Sequence, residues 1–115
     1  MPDPTWVPLL PTPNFPEYPC GHCVVAAAIA EVMTAEVGAR PAGGVRVSSQ
    51  AYPLSAVQVL PSWDEWAQQV SDSRIYGGVH VRFSNEAGAE IGRRAARMVL
   101  ERALRPLPAA SARRR

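Results

Sequence analysis

Two short stretches of this sequence carry side chains able to do chemistry. The first is Pro19-Cys20-Gly21-His22-Cys23; the second runs from Ser73-Arg74 through Gly77-Gly78 to His80. Two cysteines three apart can form a disulfide, act as a redox pair or supply half of a zinc site. Tetrahedral zinc needs further ligands, and only His22 and His80 remain to provide them. In a thioredoxin-type dithiol the first cysteine caps a helix that follows a β-strand, and the helix N-terminus makes it reactive. Cys20 does precede a predicted helix, but the prolines before it cannot form that strand, and no βαβ pattern surrounds it. A CxxC without that setting is a weak redox signal. Packing of two small residues at a helix start is the plainer alternative.

Taken together, the two stretches suit a different ligand. They bring two imidazoles, one guanidinium, a helix start and a glycine-rich backbone. Arginine offers bidentate hydrogen bonds to phosphate-like groups, free N–H groups at a helix N-terminus favour an anion, and glycine allows close backbone approach. Of two histidines, one can serve as nucleophile or ligand and the other as acid or base. A buried structural pair between Arg74 and Asp72 or Glu86 is the alternative for the arginine, and a helix-start hydrogen bond is the alternative for His22.

The elements that must position these groups are mainly α: a helical bundle fragment of about three helices with long proline-rich connections. Residues 1–19 hold seven of the 12 prolines. Proline fixes φ and removes a donor, so this segment reads as an extended arm whose Trp6, Leu9, Leu10, Phe15 and Tyr18 need a surface to lie on. A helical domain is expected over 20–105. Its first helix runs from Gly21 or His22 to about Val37, with Val25, Ala28, Ile29, Val32 and Met33 at helical spacing, and ends at Gly38. Residues 39–61 form a connection in which Val45–Ser49 can pair only briefly, limited by Pro53 and Pro61. Ser62 and Glu65 make a capping box for a second helix that carries Trp63, Trp66 and Val70 to about Asp72. The Gly-Gly segment that follows reads as a turn. A third helix is expected after Ser84 as N-cap, with Ile91, Ala95, Met98 and Val99 as its apolar stripe. Gly88 and Gly92 share one face and permit a tight crossing. Residues 106–115 read as a disordered basic tail.

Length and charge bound the rest. A chain of 115 residues makes one small domain at most. All 12 basic residues are arginine, most of them between Arg93 and Arg115, and lysine is absent. No basic patch is paired with aromatics, which argues against nucleic acid. No run reaches the roughly 18 apolar residues of a membrane span, and the first residues lack the basic-then-apolar order of a signal peptide. The compartment is not written in the sequence.

The segment Pro11-Thr-Pro-Asn-Phe-Pro-Glu-Tyr-Pro-Cys-Gly-His-Cys23, followed by Ser73-Arg-Ile-Tyr-Gly-Gly-Val-His80 and the residues to Gly88, resembles the C-terminal part of vanadium-dependent haloperoxidases. These enzymes share a helical superfamily with type 2 phosphatidic acid phosphatases. The superfamily motif proline-serine-glycine-histidine is matched by Pro19, Cys20, Gly21 and His22; the motif serine-arginine, five residues, histidine is matched by Ser73, Arg74 and His80. The resemblance implies that His80 is the vanadate ligand, or the nucleophile of a phosphatase. It makes His22 the acid-base residue, and it places Cys20, Gly21 and Arg74 around the oxyanion. Vanadate is the implied cofactor, an oxyanion or phosphate the implied ligand, and oxidation of a halide by peroxide the implied activity.

Three departures accompany the match. The family's first motif, with a lysine and an arginine-proline, has no counterpart here. Each charge-assisted hydrogen bond contributes about 1.5–3 kcal/mol, so two missing cations weaken anion binding by orders of magnitude. Cys20 replaces a serine, and a thiol is a poorer donor than a hydroxyl. Ser84 stands where an acid often follows the histidine, with Glu86 as a substitute. The expectation is a truncated or degenerate haloperoxidase-like protein, its site completed by a partner chain or a further N-terminal region. Phosphoester hydrolysis at the same site, a non-enzymatic helical interaction module, and thiol-disulfide exchange are the alternatives.

Overall fold

The computed structural model describes residues 3–49 and 56–103, and holds three helices and one hairpin-like pair of strands. Helix α1 spans Gly21–Val37, strands β1 and β2 span Val45–Ser49 and Ala56–Leu60, helix α2 spans Trp63–Tyr76, and helix α3 spans Arg82–Arg102. The chain is mainly α, as its periodicity implies. The strands pair antiparallel with Val45 opposite Leu60 and Ser49 opposite Ala56, and β2 stops at the residue before Pro61, which cannot donate to a ladder. Pro53 and the expected tail 106–115 lie outside the described residues, and α3 ends at Arg102.

Helices α1 and α2 each start at a residue whose side chain caps them. Cys20 caps α1, its sulfur accepting from the Cys23 N–H at 3.3 Å. Ser62 caps α2, its hydroxyl accepting from the Glu65 N–H at 3.1 Å. Asp64 and Glu65 then lie at the positive end of the helix dipole. At the far end of α1, Gly38 adopts φ of 88° and its N–H donates to Thr34, a left-handed exit that suits glycine.

Two helix boundaries differ from the sequence reading. Helix α2 continues to Tyr76 and takes Ser73 and Arg74 into its last turn. The Gly77-Gly78 turn then folds back so that the N–H groups of Val79 and His80 donate to the Arg74 carbonyl at 3.1 and 3.3 Å. Helix α3 starts at Arg82, two residues before Ser84, and its N-cap Val81 makes no side-chain bond. Ser84 is not a cap because its hydroxyl is used elsewhere, on the carbonyl of Glu17.

The core lies between α1 and α3, and it is built from small residues. Cys23, Ala26, Ala27 and Ala30 are the buried residues of α1; Gly88, Gly92 and Ala96 are among those of α3. A side chain at Gly88 would collide with the Cys20 carbonyl, and one at Gly92 with the Val24 carbonyl. The expected apolar stripes behave otherwise. Val25, Ile29, Ile91, Met98 and Val99 are exposed, Val25 by 58%. Backbones this close leave room only for glycine and alanine, so the bulky residues turn outward.

Asn85 joins α3 to α2 by donating from Nδ2 to the Ser71 carbonyl at 2.8 Å. Arg97 meets Glu31 across α1 and α3 at 2.8 Å, an exposed pair of the kind that contributes at most about 1 kcal/mol. The proline-rich arm rests on the loop after α2: Leu10 N–H donates to the Gly77 carbonyl at 3.1 Å, and Trp6 packs on Gly78.

Gly92→Ala tests the crossing. Alanine gains about 1 kcal/mol of helix propensity over glycine, but here its methyl meets a backbone carbonyl that cannot move without separating the helices. A net loss of about 1–3 kcal/mol is expected, read by urea denaturation followed by circular dichroism. Stability equal to or above the parent chain would refute the close approach.

Candidate oxyanion site

The site forms where the end of the arm, the start of α1 and the loop after α2 meet. Glu17 is the junction. Its carbonyl accepts from His80 Nδ1 at 2.7 Å and from the Ser84 hydroxyl at 2.6 Å. Its carboxylate accepts from the Val81 N–H at 3.0 Å and lies 3.3 Å from His80 Nδ1. A second bond, Cys20 N–H to the Ser84 carbonyl at 3.1 Å, closes the loop between α1 and α3.

These contacts assign the protonation of His80. A carbonyl oxygen only accepts, so Nδ1 carries the hydrogen, and in the neutral ring Nε2 is left with a lone pair. His80 is 5% exposed and its Nε2 is buried without a partner. Arg74 is 9% exposed; its Nε is likewise buried and unpartnered. Among the described residues no carboxylate forms an ion pair with Arg74, which removes Asp72 and Glu86 as its structural partners. Buried polar atoms are seldom left without a partner in native proteins; among the described residues four are, and two of them, on Arg74 and His80, flank the Gly77-Gly78 turn, the others being Trp63 Nε1 and Asn85 Oδ1.

His22 and Gly21 complete the cluster from the first turn of α1. The N–H groups of this turn have no acceptor within the helix, and nothing lies within 4 Å of where a Gly21 side chain would be. That open space at a helix N-terminus is a place for an anion. Partial burial, then the charges of Arg74 and His80, hold the His22 imidazole below its ordinary value of 6.5. His22 is therefore within electrostatic reach of both. Phe15 links the histidines, its ring 6.1 Å from His22 and stacked at 6.0 Å on His80. An apolar cleft of about 610 Å³ opens beside them, lined by Phe15, Gly21, His22, Val25 and Trp66 among others.

The arrangement gathers His22, His80, Arg74 and Gly21 in one place. Cys20 is also there, but fully buried, with its sulfur turned back toward residue 23. Glu86 is exposed and makes no hydrogen bond with His80, which pairs with Glu17. The sequence reading missed Glu17 and Phe15. The available signal was a carboxylate and a phenyl ring within five residues of Cys20, in an arm whose one other charged residue is Asp3. Among the described residues no group of three or more metal-ligating side chains occurs, and no helix is long and apolar enough to cross a membrane.

A fold of glycine-crossed helices has known counterparts. The family model VCPO second helical-bundle domain matches residues 1–108, and the chain belongs to that family. Among solved structures it is similar to the first bacterial vanadium-dependent iodoperoxidase, with 33% identity and a TM-score of 0.72 over 84% of this chain. Bacterial vanadium-dependent chloroperoxidase shares the fold in its apo form, at 19% identity and a TM-score of 0.69, and in its holo form, at 18% and 0.70. The chain spans 23% of the length of each. No curated protein matches it at a significant level.

The shifts carry a pH dependence with a definite sign. Glu17 is held below its ordinary 4.5 mainly by the Val81 N–H, with Ser84 and His80 adding to it. Its contribution to stability is present above pH 4.5 and is lost as pH falls toward its lower native value. His22, depressed from 6.5, favours the unfolded chain as pH falls through 6.5, because the unfolded state binds the proton more readily. Histidine NMR titration should place the His22 midpoint below 6.5, and Arg74→Ala should raise it part of the way. An unchanged midpoint in that variant would show that the guanidinium does not reach His22.

Proposed function

We propose that this chain is the part of a haloperoxidase-like protein that holds a tetrahedral oxyanion, vanadate or phosphate. The observation that carries the reading is His80: its Nδ1 is fixed by the Glu17 carbonyl and its Nε2 is buried with nothing to bond. The residues present fit vanadate. His80 Nε2 would be the ligand, Arg74 and the Gly21 N–H would hold the oxygens of the anion, and His22 would carry the proton. Bound vanadate would supply Lewis-acid activation of peroxide toward halide oxidation.

The protein's own groups have separable parts in this. Glu17 and Ser84 set the orientation of the His80 ring and keep its hydrogen on Nδ1. Arg74 supplies one permanent cation without needing a carboxylate to neutralise it. Partial burial and the nearby charges keep His22 neutral at lower pH than a free imidazole, so at neutral pH it is ready to accept a proton. Phe15 and the apolar cleft keep water from one side of the histidines.

The chain has no lysine, and the lysine and arginine of the first motif are without counterparts. At about 1.5–3 kcal/mol each, their absence costs the isolated chain about 10²–10⁴-fold in affinity. A further region or a partner chain would provide them. Support for such a covering element comes from the open apolar faces of α1 and α3, where Ile29, Val32, Met33 and Val99 line a cleft of about 370 Å³.

Orthovanadate titration by calorimetry or ⁵¹V NMR tests the reading. The parent chain should bind weakly, His80→Ala should abolish binding, and Arg74→Ala should weaken it about tenfold or more, as expected for loss of a charge-assisted contact. Equal signals from parent and His80→Ala proteins would refute the site.

A further inference from the structure

The Cys20–Cys23 pair is used by neither the fold alone nor the oxyanion site alone. Both thiols are free and buried. Cys20 is the cap residue of α1 and Cys23 is the third residue of its first turn. The cap bond from Cys23 N–H to the Cys20 sulfur at 3.3 Å turns that sulfur toward residue 23. The thiols also contact each other: burial first, and the hydrogen bond with the Cys20 sulfur next, push the Cys23 thiol up to about 12.

Residues three apart on a helix have Cβ atoms about 5–6 Å apart, and a disulfide requires about 3.5–4.5 Å. Cys20 is the cap and not a helical residue, with extended backbone at φ −61° and ψ 106°, so its Cβ does not follow the helix spacing, and closure needs a backbone adjustment confined to the first turn. Cys23 also lines a cavity of about 480 Å³ between the three helices, whose rim includes exposed Asp64, Gln68 and Glu86. A molecule as small as hydrogen peroxide can enter it.

We propose that Cys20 and Cys23 are an oxidative modification site at which a hydroperoxide closes a reversible disulfide within the first turn of α1, tying the cap of that helix to its third residue. One sulfur attacks the peroxide oxygen, the O–O bond breaks, and a sulfenic acid and one water form. The second sulfur attacks the sulfenic sulfur, the S–O bond breaks, and a second water leaves with the proton of the attacking thiol. The two thiols lose two electrons and the peroxide gains two. The balance is the same whichever sulfur reacts first. The tie acts on the turn that carries the Gly21 and His22 N–H groups, and so on how they face the anion loop. The consequence for anion binding rests on the oxyanion reading; the disulfide does not.

The test treats the 115-residue chain with equimolar hydrogen peroxide under native conditions, then counts thiols and measures intact mass. Both thiols should disappear with loss of two hydrogens, the helical circular dichroism should persist, and a dithiol reductant should restore the thiols. Cys23→Ser should instead carry a trappable sulfenic acid at Cys20. Persistent thiols, or added oxygen atoms in the parent chain without a disulfide, would overturn the proposal. In a second arm, orthovanadate affinity should fall about 2- to 10-fold on oxidation, the loss expected for one hydrogen bond; equal affinity in both forms would overturn the coupling to the anion loop. Failure of both forms to bind orthovanadate would count against the oxyanion reading, while the mass measurement would still decide the disulfide.

Discussion

The close crossing of α1 and α3 is the constraint on which the rest depends. Gly88 and Gly92 let α3 press against the carbonyls of Cys20 and Val24, at the very start of α1. This contact fixes the helix N-terminus relative to the residues just before α3, and those residues include His80. The Cys20 N–H to Ser84 carbonyl bond follows from the same approach. A bulkier interface would place the two sequence motifs several ångströms apart, and the cluster of two histidines and an arginine would not form.

The arm completes what the crossing begins. Glu17 uses its carbonyl for His80 and Ser84 and its carboxylate for Val81. A segment with almost no regular structure thereby sets the tautomer of a buried histidine. The Arg74 carbonyl has a parallel part, receiving the N–H groups of Val79 and His80, so the guanidinium and the imidazole are tied through six residues of backbone. Two of the four unsatisfied buried atoms among the described residues, His80 Nε2 and Arg74 Nε, are a cost the fold tolerates here, and such sites are where functional groups tend to be found.

Much of the framework was legible in the sequence because its signals are local. The Ser62–Glu65 cap, Gly38 after α1 and the small-residue face of Gly88 and Gly92 each rest on chemistry within one or two turns. The burial pattern was not legible in the same way. Periodicity selected Val25, Ile29, Ile91 and Val99 as core, whereas the core is alanine, glycine and cysteine; a face that looks inward by hydropathy is outward here because the partner backbone excludes large side chains. Within the site, His22, His80, Arg74 and Gly21 were marked by motif. Glu17 was not, because it acts mainly through its backbone carbonyl, which no residue type announces.

The tautomer and free nitrogen of His80 are the centre of this account, and ¹⁵N NMR of the histidine ring measures both. The neutral ring should show a hydrogen on Nδ1 and a bare Nε2, with the Nε2 resonance moving on addition of orthovanadate and the Nδ1 resonance nearly still. A hydrogen on Nε2, or an Nε2 resonance indifferent to orthovanadate, would contradict it.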